Sequence, residues 1–178
     1  SDSIEAKDPY THGHSSRGLL YSERVGTSLG WDNKTMNNLR YAAILHDIGK
    51  ICIPDAIVQK QGKLSQQEYE TIKQHSSLAG DIIRPLDPGS RIWPVIRHHH
   101  ERYDGKGYPD GMRGDAIPDG SRIIAIADAF DAMRSNRPYR DALGFEQCLE
   151  EIRSNAGTQF DPNWVDVFLE LANTGSID

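Results

Sequence analysis

Apolar residues recur along most of this chain at intervals of three and four, the spacing that lines one face of a helix. Leu39, Ala42 and Ala43 form one such stripe, Ile92, Val95 and Ile96 another, and Ile72, Ala79 and Ile82 a third. No long alternation of β-branched and polar residues competes with this pattern, which therefore predicts an all-α fold. Helices are expected near 9–29, 35–47, 65–74, 76–84, 88–100, 118–135, 145–155 and 162–173, with a break close to His75. Start signals support two of them. Ser65 and Glu68 have the spacing of a capping box ahead of Tyr69 and Ile72, and Asp161-Pro162 places a cap residue before a proline at the first helical position. Stretches near 48–64 and 101–117 are rich in Gly and Pro and read as irregular. With no internal repeat, the simplest organisation is a compact single-domain helical bundle over 9–173, a linker at 1–8 and a tail at 174–178.

The same phase places polar residues where apolar ones are expected. His46 and Asp47 continue the stripe of Leu39 and Ala43, and His75 lies on that of Ile72 and Ala79. His99 and His100 follow Val95 and Ile96, Asp128 follows Ile124 and Ala127, and His14 shares a face with Tyr21 and Val25. His98 falls on the far side of its helix and is expected to face solvent. One histidine on an apolar face is usually a hydrogen-bonded core residue. Five histidines and two aspartates on inner faces would wreck a core unless they were gathered around cations. In the pair His46-Asp47, the imidazole can give one nitrogen while the carboxylate bridges two metals, which lie roughly 3.5–4 Å apart in two-metal hydrolytic sites. No cysteine accompanies these residues, which disfavours a structural zinc site; imidazole plus carboxylate suits Fe, Mn or Zn in a catalytic role.

Composition narrows the reading further. The 178 residues suit one domain, and 37% hydrophobic with 26% charged residues suits a soluble globular chain. A net charge of −6 argues against a nucleic-acid polymer as partner but not against a small anionic ligand. No apolar run approaches the roughly 18 residues of a membrane span, and the polar N-terminus is no signal peptide. Cys52 and Cys148, each in an apolar context, are expected to be buried free thiols in a reducing cytoplasm.

His46-Asp47-Ile48-Gly49-Lys50 resembles the signature of the HD superfamily of metal-dependent phosphohydrolases. His99-His100-Glu101, followed by Asp104-Gly105-Lys106-Gly107-Tyr108-Pro109, resembles the HD-GYP subgroup. So do Ile53-Pro54-Asp55, Lys60 to Leu64, Arg122 to Asp131, Arg137-Pro138-Tyr139-Arg140 and Gly157 to Pro162, and the likeness runs from about Asp8 to Leu171. The resemblance implies an all-α phosphodiesterase that hydrolyses cyclic di-GMP to pGpG or GMP, by attack of a hydroxide held between two divalent ions. Those ions would be Fe or Mn, with Zn, Ni or Mg admissible. It implies that His14, His46, Asp47 and Asp128 hold one ion and His75, His99 and His100 the other, Asp47 bridging both. Some family members hold a third metal through a glutamate where this chain has Tyr10, so two metals are expected. The resemblance also implies an N-terminal sensor or receiver domain and a GGDEF-type partner on the GYP loop.

Several roles stay open on the sequence. Lys50, one turn beyond His46, either reaches phosphate, as the resemblance implies, or meets a helix dipole. Arg137 and Arg140 suit phosphate oxygens as guanidinium forks, or belong to a solvated face; the family places basic residues there on the ligand. Glu101 either orients a ligand histidine or caps a local turn. Nothing in the chain tells guanine from adenine, so cyclic GMP-AMP is an alternative substrate, and a non-catalytic binding module is a third reading.

Overall fold

A computed structural model describes residues 7, 13–86, 89, 91–136 and 141–177. Eight α-helices are formed among them: α1 (His14–Ser28), α2 (Asn33–Leu45), α3 (Asp55–Val58), α4 (Gln66–Ile83), α5 (Ile92–Arg97), α6 (Asp119–Arg134), α7 (Phe145–Ser154) and α8 (Pro162–Asn173). Two 3₁₀ turns, Ile48–Cys52 and Gly114–Ala116, sit in the irregular stretches. No strand is formed by the described residues, only an isolated bridge between Ala156 and Phe160. None of the described helices is long and apolar enough to cross a membrane.

Side-chain caps start three of these helices, two of them at the signals read in the sequence. The Asp32 carboxylate accepts from Thr35 N at 2.7 Å ahead of α2. Both halves of the capping box form at α4, Glu68 N donating to Ser65 Oγ at 3.2 Å and Ser65 N to Glu68 Oε2 at 2.6 Å. Asp161 caps α8, with Pro162 behind it at the first helical position.

α1 packs on α2 and α6, α4 packs on α5 and on the first 3₁₀ turn, and α7 and α8 close over α6. Phe130 of α6 sits at the centre, with Tyr21, Phe145 and Phe168 around it at 5.2, 5.9 and 5.2 Å between ring centroids. Ile177 is buried against the same core, so the residues after α8 pack rather than trail away. At the other end, Lys7 bonds Ile51 O and pairs with Asp55.

Three expectations need correction. α4 runs unbroken through His75 to Ile83; Ser76 and Ser77 return their hydroxyls to Lys73 O and Gln74 O and so do not interrupt the ladder. The helix expected over 88–100 is only Ile92–Arg97, and His98, His99 and His100 form a turn beyond it. Cys148 is buried as expected, but Cys52 is exposed. In the 3₁₀ turn that ends there, Ile53 points into the protein while Ile51 and Cys52 point out, so an apolar context did not mean burial.

Candidate metal centre

α1 brings His14 to a common point with the end of α2 (His46, Asp47), the middle of α4 (His75), the turn after α5 (His99, His100) and α6 (Asp128). Three overlapping sets have ligand atoms within 4.8 Å of one another: His75, His99 and His100; His14, His46 and Asp128; and His46, Asp47 and His99. All seven residues expected as ligands are therefore assembled. Asp47 stands between the outer sets, with Oδ1 3.4 Å from His75 Nε2 and Oδ2 3.7 Å from His46 Nε2.

The imidazoles are aimed by their own helices. Nδ1 of His46 donates to Ala43 O at 2.8 Å, that of His75 to Ile72 O at 2.7 Å, and that of His99 to Ile96 O at 2.6 Å. Each is a bond to the carbonyl three residues back. It fixes the tautomer and leaves Nε2 with a lone pair toward the centre. His46 Nε2 is buried and has no hydrogen-bond partner, an orphan that a cation would satisfy. His75 Nε2 and His99 Nε2 lie 3.3 Å apart.

Protonation follows the same logic. Burial, aided by neighbouring imidazoles, pushes His99 far below the usual histidine range and His100 down to about 3, while burial also lowers His75. These three are neutral and ready to ligate. Burial alone would raise Asp47, yet Lys50 and then His46, His75 and His14 hold it well below the carboxylate range. Burial disfavours a charge on His14 as well, but Asp128 and Asp131 outweigh it and raise His14 to about 10. The neutral imidazoles of His75, His99 and His100 and the ionised carboxylates of Asp47 and Asp128 form a donor set that fits divalent cations, and His14 would give up its Nε2 proton to join it.

Asp131 is a member of this site that sequence reasoning did not assign. Only 1% exposed, it takes His14 Nδ1 at 2.7 Å and Arg17 Nη2 at 3.0 Å. It thereby orients the histidine whose Nε2 meets Asp128 Oδ1 at 3.1 Å. The signal was present: Asp131 lies three residues after Asp128, on the same face of α6.

Lys50 places Nζ 2.8 Å from Asp47 Oδ2 and lines the cleft above the centre. Arg137 and Arg140 lie outside the described residues, as does Tyr10. His98 corrects an expectation. It is buried, not solvent-facing, with Nδ1 on Pro94 O at 2.7 Å and Nε2 on Asp110 at 2.9 Å. Helical phase rightly keeps it out of the ligand sets, but the following loop folds back to cover it, with Arg97 gripping the same Asp110 carboxylate. Glu101 is a loop staple, accepting from Asp110 N at 2.7 Å and Met112 N at 3.0 Å. Gly107 passes so close that a Cβ would lie 2.3 Å from Arg102 N. The loop is also tied to the turn before α8 through Tyr103 N to Gln159 O and Asp104 N to Thr158 O. Its Tyr108 ring thus lies 4.9 Å from that of His100.

The centre floors a cleft of about 800 Å³ that extends along α4 past Lys60, Lys63 and Tyr69. That is ample for a ligand of dinucleotide size.

A family model described as "HD domain" matches residues 1–164. The chain belongs to the HD domain family. Among relatives of this HD domain, the cyclic di-GMP phosphodiesterase of Thermotoga maritima is 40% identical over 169 residues, covering 94% of this chain and 46% of that protein. The 3'3'-cGAMP-specific phosphodiesterase 3 of Vibrio cholerae is 39% identical over 159 residues, covering 89% of this chain and 35% of that protein. The HD domain thus spans about a third to under half the length of these relatives. Solved structures share its fold. A cyclic GMP-AMP-specific phosphodiesterase of V. cholerae superposes with a TM-score of 0.70 at 22% identity, over 98% of this chain and 48% of that one. The HD domain of the L. monocytogenes phosphodiesterase PgpH gives 0.66 at 18% identity, over 98% and 96%.

Proposed function

We propose that this HD domain is a metal-dependent phosphodiesterase that hydrolyses cyclic di-GMP to pGpG or GMP. The observation that carries the proposal is the position of Asp47, one carboxylate set between two imidazole clusters with the Lys50 ammonium on its outer oxygen. In it, His14, His46, Asp47 and Asp128 hold one divalent ion, and His75, His99 and His100 the other, with Asp47 shared. Two such ions, Fe or Mn in the native protein and Zn, Ni or Mg as substitutes, would supply Lewis acidity and lower the pKa of bound water.

The chain's own residues do the rest. Lys50 holds a non-bridging phosphate oxygen and steadies the charge that develops on it. Arg137 and Arg140 grip the ligand through their guanidinium forks. Asp131 and the backbone carbonyls keep His14, His46, His75 and His99 aimed while the reacting groups change charge. The 40% identity to a cyclic di-GMP phosphodiesterase supports this reading.

A second reading, hydrolysis of cyclic GMP-AMP, is favoured by three relatives named as 3'3'-cGAMP-specific at 35–39% identity. A non-catalytic binding module is disfavoured by the convergence of seven metal-suited side chains beside Lys50. A cytoplasmic setting, an N-terminal sensor or receiver domain and a GGDEF-type partner on the 101–117 loop, where Lys106 is exposed, complete the proposal.

The test is to load the protein anaerobically with Fe(II) or Mn(II), add cyclic di-GMP and cyclic GMP-AMP separately, and follow products by chromatography. Linear dinucleotide or mononucleotide is expected from cyclic di-GMP. Turnover of neither substrate by the metal-loaded protein would overturn the enzyme reading, and turnover of cyclic GMP-AMP alone would select the second.

A further inference from the structure

The cleft does not stop at the imidazoles. It runs along α4 to Tyr69, on a rim formed with Ile57, Leu64 and Ile72. Tyr69 is 47% exposed. It stands six residues before His75 on the same helix, about 9 Å along the axis at 1.5 Å per residue. That distance is comparable to the reach from a phosphate to the far end of its own purine.

Between the two points Tyr108 also lines the cleft, and Lys73 sits behind both tyrosine rings. The Lys73 ammonium lies 5.5 Å from the Tyr69 ring centroid and 5.4 Å from that of Tyr108. The Tyr108 ring in turn lies against His100. Tyr108 is partly buried, and burial pushes its hydroxyl above the usual range. Tyr69 is the more open of the two rings. Lys60 and Lys63 flank it. Lys60 is held by Glu68 at 2.6 Å, whereas Lys63 is exposed and without an ion-pair partner among the described residues. An open aromatic face between cations, one nucleotide's reach from a centre suited to phosphate, matches the two halves of a nucleotide.

We propose that Tyr69 is a base-stacking residue, on whose ring one purine of a cyclic dinucleotide lies while a phosphate occupies the imidazole–carboxylate centre. The inference rests on the cyclic-dinucleotide reading above. Stacking reads the π-face of a base and not its edge. Tyr69 therefore contributes affinity to cyclic di-GMP and cyclic GMP-AMP alike, and does not choose between them.

The test uses the Mn(II)-loaded chain with both dinucleotides. Tyr69→Ala is expected to raise KM for each by about tenfold, within the roughly 5- to 150-fold range of a lost base–aromatic stack. The loss should fall on KM rather than kcat, and Tyr69→Phe should restore the affinity. A dinucleotide carrying 2-aminopurine, followed by rapid-mixing fluorescence before turnover, should be quenched by the wild type and much less by Tyr69→Ala. Tyr69 is half-exposed, so the variant is expected to fold, which circular dichroism checks. A loss confined to kcat, an equal loss in Tyr69→Phe, or wild-type binding without quenching would overturn the assignment. Wild-type turnover that Tyr69→Ala leaves intact overturns this inference alone. A metal-loaded wild type that turns over neither dinucleotide overturns the underlying function, and this inference with it.

Discussion

Four histidines of the centre, His14, His46, His75 and His99, have Nδ1 committed to the protein, which turns Nε2 to the centre. For His46, His75 and His99 the partner is a carbonyl three residues back on the same segment. For His14, the first residue of its helix, no carbonyl of α1 lies three residues back, and Asp131 of α6 takes its place. Asp131 is itself held by Arg17, so the orientation of His14 depends on a bonded chain of three side chains. Asp131→Asn keeps the shape and removes the charge. It is expected to weaken binding of the ion that His14 would hold by roughly 10- to 100-fold, measured by competition with a chromophoric chelator, with the fold intact by circular dichroism.

At the scale of elements, the centre exists because α4 and the first 3₁₀ turn approach one another unusually closely. Gly49 makes this possible: a Cβ there would lie 1.9 Å from His75 O and 2.7 Å from Ala79 N. The contact is backbone against backbone, so no rotamer change relieves it. It is also what brings Asp47 Oδ1 to His75. Gly49→Ala is expected to destabilise the fold by at least about 1–3 kcal/mol, the cost of overpacking, and to lower metal content in the same protein. Thermal denaturation and metal analysis of the purified variant check both. The 101–117 loop works on a similar principle, with Gly107 against Arg102 N and the Glu101 carboxylate pinning Asp110 N and Met112 N. Its glycines serve packing that sets Tyr108 against His100, and the loop is fastened at both ends.

At the scale of the whole molecule, five separate segments converge on one polar centre in an otherwise apolar bundle, and stability becomes a function of pH. His99 and His100 have folded pKa values far below the 6.5 of a free imidazole, and His75 is shifted the same way. Between about pH 3 and 6.5 the unfolded chain binds more protons at these positions, so stability rises with pH across that window and is complete above it. His14 acts oppositely. Raised to about 10, its contribution is full below 6.5 and is lost as pH climbs toward 10. Metal-free protein is therefore expected to be most stable near pH 6.5–7 and to weaken on both sides, and urea denaturation of chelator-treated protein across pH 4–9.5 tests this. A monotonic profile would contradict the assignment of either group.

Periodicity alone determined the helical class, most helix positions and the seven inward-facing histidines and aspartates, because spacing of 3.6 residues per turn is a local property that each helix carries by itself. The same locality explains what stayed out of reach. Phase held for His99 and His100, and it separated His98 from them, but it could not foresee that Asp110 would fold back over His98. It could mark Asp131 as an acid on the face of Asp128 but not that α1 would lay His14 and Arg17 against it. It could not place Tyr69 on the rim of the cleft that the histidines floor. Contacts between segments far apart in the chain depend on crossing angles and close approaches such as that at Gly49. Those follow from how all the helices pack together, and only the tertiary structure decided them.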